Sequence, residues 1–237
     1  MEVISLTEIY FDNSSTTRVC PEAAAKVMEM MTENYGNPSS LHTKGFQAEQ
    51  ELRAARAAVA ARIGAQPEEV YFTSGGTESN NIALFGAARA RRKRGSRIVT
   101  TAIEHPSVLN AAKELEREGF EVVRLAPDEW GKISPDAVRK AVTPETILVS
   151  MMRVNNEVGS ILPVEAAADA IEEAKAPALL HVDAVQAFGK LPISVRRLRV
   201  DLMSMSAHKI HGPKGVGALF LRRGVHIEPL AYGGGQE

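Results

Sequence analysis

Lys209 lies in the stretch Ser204-Met205-Ser206-Ala207-His208-Lys209-Ile210-His211-Gly212-Pro213-Lys214-Gly215. It follows an apolar run and stands between a Ser/His pair and a Gly-Pro turn. A lysine just past a strand end can attack a carbonyl and form a Schiff base. Taken alone, it also reads as a surface lysine in a polar loop. A second stretch, Phe72-Thr73-Ser74-Gly75-Gly76-Thr77-Glu78-Ser79-Asn80-Asn81, runs from a strand through a glycine turn into a helix start. Glycines let backbone approach closely, and a helix N-terminus offers free N–H groups and positive dipole. That composition makes a phosphate cradle, with Gly76 and Thr77 at its centre. It is neither a Walker loop nor a G-x-G-x-x-G motif. It reads equally as an ordinary turn with Thr77 as the helix N-cap.

Two further segments place ionisable groups at strand ends. In His181-Val182-Asp183-Ala184-Val185-Gln186, the carboxylate of Asp183 can keep a pyridinium nitrogen protonated, or simply cap a helix. In Ile103-Glu104-His105-Pro106-Ser107, the imidazole of His105 can stack on a planar ring and move protons near neutral pH, or serve structure alone. The amides of Val154-Asn155-Asn156-Glu157-Val158-Gly159 could grip a carboxylate. Schiff-base lysine, phosphate cradle, ring-nitrogen acid and stacking imidazole converge on pyridoxal phosphate as cofactor. A metal site is disfavoured, because His181, Asp183, His208 and His211 match no zinc spacing. Ser-His-Asp chemistry lacks its G-x-S-x-G elbow.

These groups need a scaffold, and the pattern around them supplies one. Short β-branched runs alternate with helical patterns, the signature of βαβ units. Strands are predicted over 70–73, 97–101, 121–125, 146–151, 179–182, 201–205 and 217–221. Helices are predicted over 21–34, 40–63, 78–93, 107–118, 134–141 and 164–175, with a short one at 184–188. The strand runs are nearly all apolar, as expected for an α/β sheet covered by helices on both faces. Ligands of such sheets bind beyond the carboxyl ends of the strands, where most of the polar motifs fall.

The chain of 237 residues is long enough for one large α/β domain or two small ones. Its formal net charge of -1 gives no electrostatic case for nucleic acid or an anionic membrane. The dense basic run from Arg89 to Arg94 is expected to close a helix C-terminus in water. Cys20 is the single cysteine, so no internal disulfide forms, and a reducing compartment is expected. With no secretory signal and no membrane-length apolar run, the cytoplasm is the expected location.

Taken together and in order, these stretches resemble the cysteine desulfurases of the class V aminotransferase group. The branch resembled is the one tied to iron–sulfur cluster assembly and tRNA thiolation. Further matching segments are Tyr10-Phe11-Asp12-Asn13-Ser14-Ser15-Thr16-Thr17, Tyr35-Gly36-Asn37-Pro38-Ser39-Ser40-Leu41-His42 and Gly233-Gly234-Gly235-Gln236-Glu237. Ser14-Ser15 departs from the more usual Ala-Ala pair. The resemblance implies a fold-type I large domain around a mostly parallel seven-stranded sheet. Residues 1–20 would belong to a small domain, 21–237 to the cofactor domain. Lys209 would hold the cofactor covalently, Asp183 would pair with its ring nitrogen and Gln186 with its ring hydroxyl. His105 would stack and assist proton transfer. Gly76, Thr77, Ser206 and His208 would hold the phosphate, and Asn155 and Asn13 the substrate. The implied reaction takes L-cysteine to L-alanine, with the sulfur passed to an enzyme cysteine as persulfide. A sulfur-acceptor or scaffold protein and a homodimer are the implied partners. The resemblance also implies family segments beyond Glu237, carrying a substrate-binding arginine, the nucleophilic cysteine and most of the small domain. Cys20 lies outside any such motif and reads as a small apolar residue before a helix. A non-catalytic cofactor-binding module, half of a split enzyme, and another lyase or transaminase on the same scaffold remain open alternatives.

Overall fold

The computed structural model describes residues 9–234. Residues 235–237 of the Gly233–Glu237 motif and the first residues of the expected small-domain segment, 1–8, lie outside that range. An extended N-terminal strap leads into α1 (Pro21–Thr32) and α2 (Thr43–Ile63). The sheet elements then follow as β1 (Val70–Thr73), α3 (Gly76–Arg91), β2 (Arg97–Thr101), α4 (Pro106–Arg117), β3 (Glu121–Leu125), α5 (Pro135–Ala141), β4 (Thr146–Met152), α6 (Val164–Glu173), β5 (Leu179–Asp183), β6 (Leu202–Ser206) and β7 (Gly217–Leu221).

The seven strands form one sheet in the order β1-β7-β6-β5-β4-β2-β3. β7 runs antiparallel to both its neighbours, β1 and β6, and the other pairings are parallel. Six strands therefore point the same way, and their carboxyl ends share one edge. Strand alternation divides the core in two. Ile98, Leu148, Leu179, Leu202 and Leu219 face α3 and α4. Their neighbours Val99, Val149, Leu180, Met203 and Phe220 face the layer that holds α2, α5 and α6. Both faces are covered, which is why the strands read as unbroken apolar runs.

Helix boundaries follow local chemistry. Pro21, Pro106 and Pro135 open α1, α4 and α5, where a missing N–H costs nothing. Gly64 ends α2 in the left-handed region at φ 70°. α2 begins at Thr43, later than the expected 40, because His42 Nδ1 caps it by accepting from Gly45 N at 3.2 Å.

Two expectations need correction. The short helix at 184–188 is a run of turns, with Phe188 N donating to Ala184 O at 2.7 Å and Leu191 N to Ala187 O at 2.9 Å. Gly189, at φ 75°, and Pro192 prevent its extension. Thr77 is not the cap of α3, since Gly75 holds that position and Thr77 lies in the first turn. The basic run closes α3 as expected, with Arg92, Lys93 and Arg94 exposed, but its arginines also make specific contacts. Arg89 pairs with Glu118 at 2.6 Å, Arg91 donates to Pro177 O at 2.6 Å, and Arg92 lies 4.7 Å above Phe120. The end of α3 meets the end of α4 and the loop after α6, where carbonyls and a carboxylate need donors.

Candidate active site at the carboxyl edge of the sheet

A cavity of about 470 Å³ opens at the carboxyl edge. Its wall is assembled from loops after β1, β2, β4, β5 and β6, with the N-terminal strap across it. Gly76, Thr77, His105, Asp183, Gln186, Ser206, His208 and Lys209 all line it. Segments separated by as many as 195 positions, Ser14 and Lys209, are thereby brought to one place.

The turn into α3 rests on close backbone contact. A Cβ on Gly217, at the start of β7, would lie 2.6 Å from Gly75 Cα. Only a residue without a side chain lets the two backbones meet there. Ser74 N donates to Glu78 Oε2 at 2.6 Å, which pins the turn from inside the helix. The first N–H groups of α3 lack intrahelical acceptors, and Gly76 and Thr77, which carry two of them, line the cavity with Ser206.

Lys209 follows β6 in a single 3-10 turn, Ala207–Lys209. The strap clamps that turn. Thr17, buried, donates through both N and Oγ1 to His208 O at 2.8 Å and accepts from His211 N at 2.7 Å. Thr16 Oγ1 meets His208 Nδ1 at 3.2 Å. The Lys209 ammonium donates to Ser14 O at 2.5 Å and Ser15 O at 2.7 Å. Desolvation pushes the Lys209 amine below the ordinary lysine value, aided by the Lys190 charge and opposed by Asp12, Asp183 and Glu157. A lowered value raises the fraction of uncharged, nucleophilic amine. Desolvation likewise lowers His208, with Lys209 and Lys214 adding to it.

Asp183 sits at the floor, 5% exposed. Its Oδ1 accepts from Val185 N at 2.9 Å and its Oδ2 from Asn80 Nδ2 at 2.8 Å. Burial pushes its carboxyl up, against the two donors and the nearby His105 and Lys209. An N–H⁺ group arriving in the cavity would compensate that burial. Gln186 donates to Ser14 O at 2.8 Å and accepts from Lys190 Nζ at 3.0 Å. This donor set fits pyridoxal phosphate: an amine for its aldehyde, a buried carboxylate for its ring nitrogen, a helix N-terminus with Ser206 for its phosphate.

Two expected substrate residues lie outside the wall. Asn155 is buried and spends its amide on structure, donating to Ile103 O and accepting from Glu157 N and Val158 N, each at 2.9 Å. Its neighbour Asn156 lines the cavity instead. Asn13 is exposed and donates to Tyr10 O at 3.3 Å. Asn80 and Ser107 are wall residues to which motif reading gave no role, whereas Asn156 was among the amides expected to grip a carboxylate. Helical spacing was a usable signal for Asn80, which lies three and four positions after Thr77 and Gly76 and so shares their face.

Comparisons with known proteins bear on the family and the fold. The family described as Aminotransferase class-V matches residues 9–237. A curated relative from Methanosarcina thermophila, "Cysteine desulfurase IscS", is 46% identical over 97% of this chain and 56% of its own length. Another of that name, from Serratia proteamaculans, is 48% identical over 97% of this chain and 57% of its own. The chain thus spans little more than half of these relatives. Among solved structures, a "NIFS-LIKE PROTEIN" superposes with a TM-score of 0.94 at 44% identity, covering 97% of this chain and 63% of that one. "SspA in complex with cysteine" gives 0.91 at 38% identity, covering 96% and 65%.

Proposed function

Because the chain belongs to the class-V aminotransferase family, we propose that it forms the cofactor-bearing part of a pyridoxal phosphate-dependent cysteine desulfurase. The observation that carries this reading is the Lys209 amine and the buried Asp183 carboxylate in one cavity beside the α3 N-terminus. The names of the relatives support the choice of substrate, and one solved neighbour is described as a complex with cysteine. Pyridoxal phosphate, when bound, supplies an electron sink for the bonds around an amino-acid α-carbon.

The residues of the chain would divide the work. Lys209 would supply the amine for the aldehyde carbon. Asp183 would keep the ring nitrogen protonated, and Gln186 would pair with the ring hydroxyl. His105 would stack on the ring and assist proton transfer. Gly76, Thr77, Ser206 and His208 would hold the phosphate. Asn13 and Asn155 were expected at the substrate but lie outside the cavity wall, and Asn156 is the amide that lines it. In the overall reaction, the C–S bond of L-cysteine breaks and an S–S bond forms with a thiol. L-alanine and a persulfide result, with atoms and electrons balanced. Cys20, before α1, is not part of the cavity wall. The persulfide would serve iron–sulfur assembly or thiolation through an acceptor protein, from a cytoplasmic homodimer.

The test is the visible absorption spectrum of the chain with pyridoxal phosphate, beside a Lys209→Ala control. A visible absorption band of lysine-bound cofactor should form in the parent chain alone. No band in either protein would overturn the reading. Alanine release from L-cysteine then tests the substrate.

A further inference from the structure

We propose that Asn80 and Ser107 are positioning residues that hold the His105 ring in one tautomer, its proton on Nε2, through a buried hydrogen-bond chain that ends on Asp183.

The chain of contacts is continuous. Asn80 Nδ2 donates to Asp183 Oδ2 at 2.8 Å and to Ser107 Oγ at 2.9 Å. Ser107 Oγ meets His105 Nδ1 at 2.8 Å, and Ser107 N donates to the same Nδ1 at 3.1 Å. Asn80 is 1% exposed, Ser107 9% and Asp183 5%, so solvent does not compete for the Asn80 bonds, while His105 itself is exposed at the cavity wall.

The direction of each bond follows from its ends. Asp183 accepts at both oxygens, so Asn80 must present its NH₂ there. Turning the amide over would set a carbonyl oxygen against that carboxylate. Among the described residues no donor reaches Asn80 Oδ1, so the two acceptors beside Nδ2 are what orient the amide. Its second hydrogen occupies a lone pair of Ser107 Oγ. The serine hydroxyl hydrogen is then free for His105 Nδ1, which already accepts from Ser107 N. Two donors converge on Nδ1, so that nitrogen keeps its lone pair and the ring carries its proton on Nε2. Asp183 ends β5 and His105 lies in the loop after β2, and Asn80 of α3 supplies the link between them.

This deepens the desulfurase reading but does not need it to be tested. The full chain, without cofactor, is labelled with ¹⁵N-histidine and read by long-range ¹H–¹⁵N correlation at pH 8, above the ordinary imidazole value of about 6.5. His105 is assigned with a His105→Gln variant. The parent should show a pyridine-type Nδ1 and a pyrrole-type Nε2. Ser107→Ala should shift the tautomer ratio about fivefold or more toward Nδ1–H, the effect of losing one net hydrogen bond. Ser107→Thr, which keeps the hydroxyl, should restore the parent pattern. Asn80→Ala should act in the same direction as Ser107→Ala. The signals of His181, held between Ser150 and Ser204 inside the sheet, report that each variant has folded. A parent His105 with its proton on Nδ1, or signals indifferent to Ser107→Ala in a folded variant, would overturn the inference. The pyridoxal phosphate band is read on the same samples. Its absence beside a normal His105 pattern would count against the desulfurase reading alone.

Discussion

At the scale of single residues, Glu104 and His181 set opposite pH slopes. Glu104 Oε1 accepts from Met152 N at 2.9 Å and Thr101 Oγ1 at 2.8 Å, while Oε2 has no partner among the described residues. Burial pushes its carboxyl up to about 8, against those donors and with help from Asp183. The folded chain therefore holds a proton that an ordinary glutamate, near 4.5, has released. Stability falls as pH rises between these values, by at most about 1.4 kcal/mol per pH unit. Burial pushes His181 the other way, from 6.5 down to about 3, so stability falls as pH drops below 6.5. The two slopes offset one another between 4.5 and 6.5, and above that Glu104 acts alone. We predict that the Tm declines between pH 6.5 and about 8 as this proton is lost from the unfolded chain alone. Glu104→Gln, whatever its absolute Tm, should flatten that alkaline limb and leave the acid limb in place. Melts across pH check this, and an unchanged alkaline slope would refute a protonated Glu104.

Among the elements, the strap decides the geometry of the turn that carries Lys209. Thr17 bonds both His208 O and His211 N, on either side of the lysine. Thr17→Val keeps the shape and removes the hydroxyl, leaving the His211 N–H without its acceptor. We expect a loss of about 1–3 kcal/mol in denaturant melts, together with weaker binding of pyridoxal phosphate. An unaltered melt and titration would show that β6 and β7 alone hold the turn. Sequence reading found this strap only as a matching motif. Nothing in its spacing tells that residues 14–17 reach a turn nearly two hundred positions later.

For the whole molecule, the N-terminal region leaves apolar surface uncovered. None of the residues of α1 is buried, and Val27, Met28, Met31, Tyr35, Leu41 and Phe46 are exposed. Contiguous patches of this kind drive association. Sedimentation velocity over a concentration range should show self-association of the chain. Met28→Glu with Met31→Glu should reduce it, and a concentration-independent monomer would refute it.

By itself the sequence determined the alternation of strands and helices, the two-sided burial of the sheet and the cluster of chemistry at strand ends. These are local properties. Apolar runs, glycine turns and proline helix starts act over a few residues, so all seven strands were legible, four of them to the residue. Tertiary structure decided the rest, because it depends on which distant groups meet. It set β7 against the other strands, turned 184–188 from helix to turns, and drew the arginines of α3 onto Glu118 and Pro177. It also put Asn156 rather than Asn155 in the cavity wall, and joined Asn80 and Ser107 between Asp183 and His105. A buried polar group must find its partner in space, and the order of residues along the chain does not say where that partner will be.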